Sequence, residues 1–194
     1  MAPAGRYRRA FKALLAMALL GVLLMAVRGT EPAAEADHWS LCLDAIRAAE
    51  RNTGLPPHLL EAIALAESGR RHDAAEGFAP WPWTVMAEGR GRFLPAKADA
   101  VAVVRELHAR DIQNIDVGCM QVNLQHHPAA FADLDQAFDP AANATYAAEF
   151  LRALFRDSGS WAHAVARYHA SVYGRNLQYR TRVMRIWHRL RGRD

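Results

Sequence analysis

Between Asp139 and Phe155 the apolar residues recur at a spacing that only a helix brings to one side. Ala144, Ala147, Ala148, Leu151, Leu154 and Phe155 step by three and four, the period of 3.6 residues per turn. Asp139 offers an oxygen to the first free amides, and Pro140 suits the first helical position, where its missing N–H costs nothing. The same spacing returns in Val101, Val104, Leu107 and His108, in Trp161, Ala164, Val165 and Tyr168 behind Ser160 as a cap, and in Val183, Ile186, Trp187 and Leu190. Nearer the front, Ser40 can cap a helix carrying Leu41, Ala45, Ile46 and Ala49, with Gly54 breaking it. Pro56-Pro57 then open a second helix, which Gly69 ends. A chain so patterned is expected to be mainly helical.

One stretch departs from that period. In residues 77–95, Phe78, Trp81, Trp83, Thr84 and Val85 favour a strand, and Glu88-Gly89-Arg90-Gly91 is a turn signal before Arg92-Phe93-Leu94. Pro80 and Pro82 would keep the first strand at an edge, since proline cannot donate to a ladder. A short extended piece, Ile112 to Val117, leads into Gly118. The expected fold is mainly α in the α+β sense, a helical domain with a small β-hairpin inserted after the second helix. No repeat and no Ser/Gly/Pro linker divides it, and 194 residues with 52% hydrophobic content suit one domain.

The first 36 residues stand outside that domain. Arg6, Arg8, Arg9 and Lys12 precede an apolar run from Ala13 to Val27, and Ala34-Glu35-Ala36 fits the small-x-small pattern of signal-peptidase cleavage. The run is short of the 20 or so residues that span a bilayer. Residues 1–36 are therefore expected to be a signal peptide and 37–194 the exported domain, placed in the periplasm. An uncleaved anchor in the inner membrane is the alternative. The leader holds five Lys/Arg and two Glu, so 19 basic and 18 acidic residues remain, which is no nucleic-acid signature. The one local excess is the arginine run Arg175, Arg180, Arg182, Arg185, Arg189, Arg191 and Arg193. The plain reading is the solvated face of a last helix; the other is attraction to an acidic polymer or membrane surface.

Cys42 and Cys119 are an even pair in a chain expected to be exported, which favours a disulfide over two buried thiols. Neither a metal nor a cofactor is expected. None of the nine histidines falls in a His-Glu-x-x-His pattern, and there is no Gly-rich phosphate loop or Gly-x-Ser-x-Gly elbow.

Glu67 is the residue that does not fit its surroundings. Leu60, Ile63 and Ala64 form an apolar stripe, and Glu67 continues it four and three residues on from Ile63 and Ala64. A carboxylate there is costly unless supported. Gly69 also puts it in the last turn, at the negative end of the helix dipole. Burial and dipole together favour the protonated carboxyl, as a general acid requires. A helix-end glutamate turned to solvent fits the position equally well.

Beyond the residues taken singly, Ala64-Leu65-Ala66-Glu67-Ser68-Gly69-Arg70 resembles the first signature of the lytic transglycosylases of the lysozyme-like superfamily. Gly118-Cys119-Met120-Gln121-Val122 resembles the second, a helix following an asparagine at Asn143 to Leu154 the third, and Ala164-Val165-Ala166-Arg167-Tyr168-His169 the fourth. Order and spacing agree across about residues 40–170. His169 stands where most members have asparagine, and Cys119 where an aliphatic residue is common. The insertion with Trp81-Pro82-Trp83 is similar to the branch associated with conjugation and type IV secretion.

The resemblance implies an enzyme that cleaves the β-1,4 bond between N-acetylmuramic acid and N-acetylglucosamine in peptidoglycan, leaving 1,6-anhydro ends. It implies Glu67 as catalytic acid and base. Ser68, Met120, Gln121, Tyr168 and His169 become substrate-binding or supporting residues, Tyr168 as a partner that orients Glu67. The expected partners are glycan strands and secretion or conjugation machinery, not nucleic acid. Two alternatives stand beside this reading: a hydrolytic muramidase with Asp116 as a second carboxylate, and an assembly factor acting mainly through binding. Asp116 itself reads more simply as an exposed loop residue. Trp81, Trp83 and Phe93 suit either sugar-stacking walls or packing of the hairpin.

Overall fold

The computed structural model describes residues 33–73, 77–169 and 175–192. Residues 1–32, most of the segment expected to be a signal peptide over 1–36, and Arg193 at the end of the arginine run lie outside the described residues. Among the described residues, seven helices and six short strands follow one another. Helix α1 (Ala33–Thr53) and α2 (Leu59–Ser68) lead into β1 (Gly69–His72), β2 (Gly77–Pro80), β3 (Thr84–Ala87) and β4 (Arg90–Phe93). Then come α3 (Lys97–Ala109), β5 (Ile115–Val117), β6 (Val122–Asn123), α4 (Leu134–Ala137), α5 (Pro140–Ser158), α6 (Trp161–Tyr168) and α7 (Arg175–Arg191). The fold is mainly α with small antiparallel sheets, as the periodicity predicts. From Glu35 onward the chain is one compact unit. Among the described residues no helix is long and apolar enough to cross a membrane.

Several boundaries differ from the expected ones, each for a local reason. Ser40 lies inside α1 rather than at its start, because the helix already runs from Ala33; the segment Ala34-Glu35-Ala36 lies in its first turns. Pro56-Pro57 lie just ahead of α2 rather than inside it. His58 is the residue before its first turn, held at φ 64° with no side-chain cap of its own. The cap comes from α1 instead. The carboxylate of Glu50 accepts from the backbone amides of His58 (3.1 Å), Leu60 (2.7 Å) and Glu61 (3.2 Å), three donors that a helix start leaves free. Burial pushes the Glu50 proton affinity up, and those three amides oppose the rise. Asp139 and Ser160 do cap α5 and α6, accepting from the amides of Ala142 and His163.

The sheet region is larger than one hairpin. The expected hairpin is β3–β4, whose turn Glu88-Gly89 has both residues at positive φ, the twist that suits a two-residue connection. β5 then pairs with β3, and β6 with β5, giving the order β4-β3-β5-β6. A second, two-stranded sheet joins β1 to β2. It starts directly at Gly69. A side chain at Gly69 would meet the Leu65 carbonyl at 2.3 Å, so only glycine lets the chain turn straight from helix into strand.

Two apolar clusters result. The helical one gathers Ile46, Leu59, Leu60, Ile63, Leu151 and Val183 with a series of alanines, including Ala147 and Ala148. The sheet-side one gathers Trp81, Trp83, Val85, Val104, Ile115 and Phe138 under α3. The Cys42–Cys119 disulfide, both residues fully buried, links α1 to the loop after β5 across a sequence separation of 77.

Candidate active site

Glu67 ends α2 with its side chain 12% exposed. Its neighbour Ser68 is fully buried and fastens the helix end to the second signature, its hydroxyl donating to the Cys119 carbonyl at 2.6 Å. The amide of Trp81 donates in turn to the Ser68 carbonyl, so the end of α2, the first strands and the Gly118 loop share one set of bonds. Around Glu67 the structure places His169 at the end of α6, Tyr179 and Arg182 on α7, and Asp116 on β5.

His169 Nδ1 lies 3.6 Å from Glu67 Oε1, an ion-pair distance rather than a hydrogen bond. The contact with Glu67 raises the proton affinity of the imidazole against the opposing effects of burial and Arg182. Its ring stacks on Tyr179, centroids 4.3 Å apart and planes 12° from parallel. Tyr179 is 4% exposed, and its hydroxyl is a buried polar atom without a hydrogen bond of ordinary geometry. Burial and the nearby Glu67 charge hold that hydroxyl well above its usual proton affinity, so it stays neutral. Arg182 donates to the Ala66 carbonyl at 3.0 Å, one of the acceptors that the end of α2 leaves free.

The second signature is a supporting loop whose conformation its residues explain. Gly118 has φ 81°, and a side chain there would come within 2.5 Å of Asn143, so glycine is required twice over. Asn143 is fully buried with every partner found. Its amide donates to the carbonyls of Val117 (3.1 Å) and Ala137 (3.0 Å), and its oxygen accepts from the Met120 amide (2.8 Å). The third signature thus begins within α5, three residues past Pro140. Gln121 turns its amide back onto the carbonyls of Gly118 (3.0 Å) and Thr84 (3.1 Å), which holds its own backbone at φ 48°. The Met120 side chain is fully buried in the helical core, and its carbonyl accepts from the Tyr168 hydroxyl at 3.0 Å. Tyr168 therefore bonds to the loop and not to Glu67.

Asp116 is no exposed loop residue. It sits on β5 opposite Asn123, whose amide donates to its carboxylate at 2.7 Å. Ile115 and Val117, its strand neighbours, point into the sheet-side core, so Asp116 takes the other face. Burial raises its proton affinity first of all; Asn123 lowers it, and the charge of Glu67 raises it again. The two carboxyls are close enough to feel each other.

Sequence reasoning did not single out Tyr179 or a special role for Arg182. Tyr179, Val183 and Trp187 are buried at steps of four, so extending the α7 stripe one turn forward finds the tyrosine. Arg182 was hidden in the arginine run. Its neighbours Arg180, Arg185 and Arg189 line an open groove with Met184 and His188, and no residue of the carboxyl site lines it. Trp81 (1% exposed) and Trp83 are core residues, with the Trp81 indole donating to the Leu94 carbonyl and its ring covered by the Arg70 guanidinium. Of the aromatics in this region, Phe78 and Phe93 are the exposed ones.

A largely shielded carboxyl beside a titrating imidazole, on a helix end fixed by a buried serine, is equipped to give and take a proton. Residues 44–181 match the transglycosylase SLT domain family, so most of the chain is covered. The chain belongs to that family, a class of lytic transglycosylases acting on peptidoglycan. No curated protein and no solved structure matches the chain significantly.

Proposed function

We propose that this protein is an exported lytic transglycosylase that cuts the β-1,4 bond between N-acetylmuramic acid and N-acetylglucosamine and leaves 1,6-anhydromuramic ends. The observation that carries it is Glu67, a mostly shielded carboxyl at a braced helix end, within a chain matched to the family over residues 44–181. Glu67 gives its proton to the bridging oxygen as the bond to the muramic C1 breaks. The substrate's own 2-acetamido group supports the cationic carbon, a recognised departure from two-carboxylate glycosidases. The ionised Glu67 then takes the proton of the C6 hydroxyl, whose oxygen closes on C1. Glu67 ends protonated and no water is consumed. The leader directs the domain to the periplasm, and the Trp81-Pro82-Trp83 insertion supports an association with secretion or conjugation machinery.

One observation favours a second reading. Asp116 faces the charge of Glu67 from β5, as the second carboxylate of a hydrolytic muramidase would. Digestion of purified sacculi separates the two. Anhydro ends, lighter by one water than reducing muramic ends, are expected in the mass spectrum. Reducing ends from the unaltered protein would make it a hydrolase.

A further inference from the structure

We propose that the arginine-lined groove on the outer face of α7 holds the carboxylates of the short stem peptides that peptidoglycan strands carry, and so selects acidic strands for cleavage. The inference rests on the reading of this chain as a peptidoglycan-cleaving enzyme, and it names what the last helix recognises. From Arg175 to Arg191 that helix contains no Asp or Glu. The chain from residue 37 onward holds 19 basic and 18 acidic residues, so the excess on α7 is local.

Helical spacing gives the groove its shape. Tyr179, Val183 and Trp187 turn one face of α7 into the core. On the outer face Thr181, Met184 and His188 form a floor, with Arg180 on one side and Arg185 and Arg189 on the other. The space is about 560 Å³, the size of a small-molecule site rather than of a single bound ion. Among the described residues none of these three arginines has an ion pair, whereas Arg71, Arg110 and Arg167 are each matched with an acid. A guanidinium is a planar fork that fits a carboxylate through two parallel bonds.

Position ties the groove to the reaction. Arg182, Arg185 and Arg189 are three and four residues apart, so they follow one stripe of the helix. The stripe starts where Arg182 meets the Ala66 carbonyl, next in the chain to Glu67, and runs on for roughly 10 Å at the helical rise per residue. A strand seated at Glu67 therefore lays a neighbouring stem peptide along it. A membrane surface fits less well, because helices that lie on a bilayer bury an apolar face in it. Here Val183, Ile186, Trp187 and Leu190 are packed against the helical core, and the exposed apolar residue of α7, Leu177, lies ahead of the groove.

The test compares intact sacculi with sacculi whose stem carboxylates have been converted to amides. Three proteins are measured: the wild type, a triple variant Arg180→Gln, Arg185→Gln, Arg189→Gln, and the same three positions changed to Lys. An exposed ion pair changes binding by up to about fivefold, so three together should give the wild type roughly a tenfold lower KM on the intact sacculi. That preference should vanish in the Gln triple, survive in the Lys triple and shrink as salt is raised. Co-sedimentation with both kinds of sacculi reads the same preference without turnover. No preference in the wild type, or one left intact in the Gln triple, would overturn the proposal. So would tighter binding to phosphatidylglycerol vesicles than to intact sacculi, lost in the Gln triple, which would assign the groove to a membrane. Reducing muramic ends with an arginine-dependent preference would sink the anhydro-forming function and leave the groove. Anhydro ends without such a preference would sink the groove alone.

Discussion

The helical core and the sheet-side core are built from different materials. The helical core relies on small residues: Ala49, Ala62, Ala64, Ala144, Ala147, Ala148 and Ala164 are all buried there, which lets helices approach closely. The sheet-side core relies on large ones, with Trp81, Trp83, Phe138 and Leu107 filling the space between α3 and strands of two to four residues. Strands so short cannot hold a sheet by their ladders alone. The border between the two cores runs through the Gly118 loop. Ile115 and Val117 belong to the sheet side, and Cys119, Met120 and Val122 to the helical side. The candidate site straddles the same border, with Glu67 and His169 from helices and Asp116 from a strand. The helix end that carries Glu67 is braced by Ser68, whereas Asp116 lies on a strand face, where burial raises its proton affinity and the Asn123 amide lowers it.

The largest effect should come from breaking this asymmetry on the helical side. Glu67→Gln keeps shape and hydrogen bonding but cannot give or take the proton. General acid–base catalysis contributes about 10²–10⁴-fold, and one group serving both halves of the reaction should lose at least that much. Thermal unfolding should barely change. Asp116→Asn, on the sheet side, should cost far less. Equal losses in the two variants, measured as release of soluble muropeptides, would return Asp116 to the mechanism as an equal partner.

The same contrast explains what could be read from the sequence. Helix α5 was legible from Asp139 to Phe155 because its cap, its proline and its period are all local signals. So was Glu67, which breaks an apolar stripe within its own helix. The strand pair β1–β2 was not. Gly69-Arg70-Arg71-His72 has no apolar alternation, and its order depends on pairing with residues five to eleven positions away and on Arg70 lying over Trp39 and Trp81. Tyr179 escaped for a similar reason. It reaches Glu67 from the last helix, across more than a hundred residues of chain. Asp116 was misjudged because burial of a strand residue depends on its partners, β3 and β6, and neither pairing has a local signal.

The disulfide is the second lever on the border. It fixes the Gly118 loop to α1 on the helical side, and a loop of 77 residues closed by a crosslink is worth about 4 kcal/mol through restriction of the unfolded chain. Cys42→Ser with Cys119→Ser should lower stability to denaturant by roughly that amount. Activity at permissive temperature should fall less than stability, since Asn143 and Ser68 still hold the loop. A variant as stable as the parent would mean that packing alone secures the border.

The smallest change asks how Tyr168 serves Glu67. The resemblance implied a tyrosine that orients the carboxyl, yet its hydroxyl donates to the Met120 carbonyl. Tyr168→Phe removes that one donor and keeps the ring in contact with Phe150. Losing a single buried hydrogen bond costs about 1 kcal/mol, with the Met120 carbonyl left short of a partner. If the hydroxyl acts only through the loop, stability to denaturant should fall by that small amount. The pH–rate profile should keep its shape, and kcat should drop only a few-fold as Met120 and His169 lose some of their fixed placement. If Tyr168 instead reaches Glu67 or the sugar during turnover, the balance reverses. Then kcat should fall by a factor approaching 10², with stability little altered. The two outcomes differ in which quantity moves, so one variant measured both ways decides whether the helical side acts on its carboxyl directly or by bracing the loop at the border.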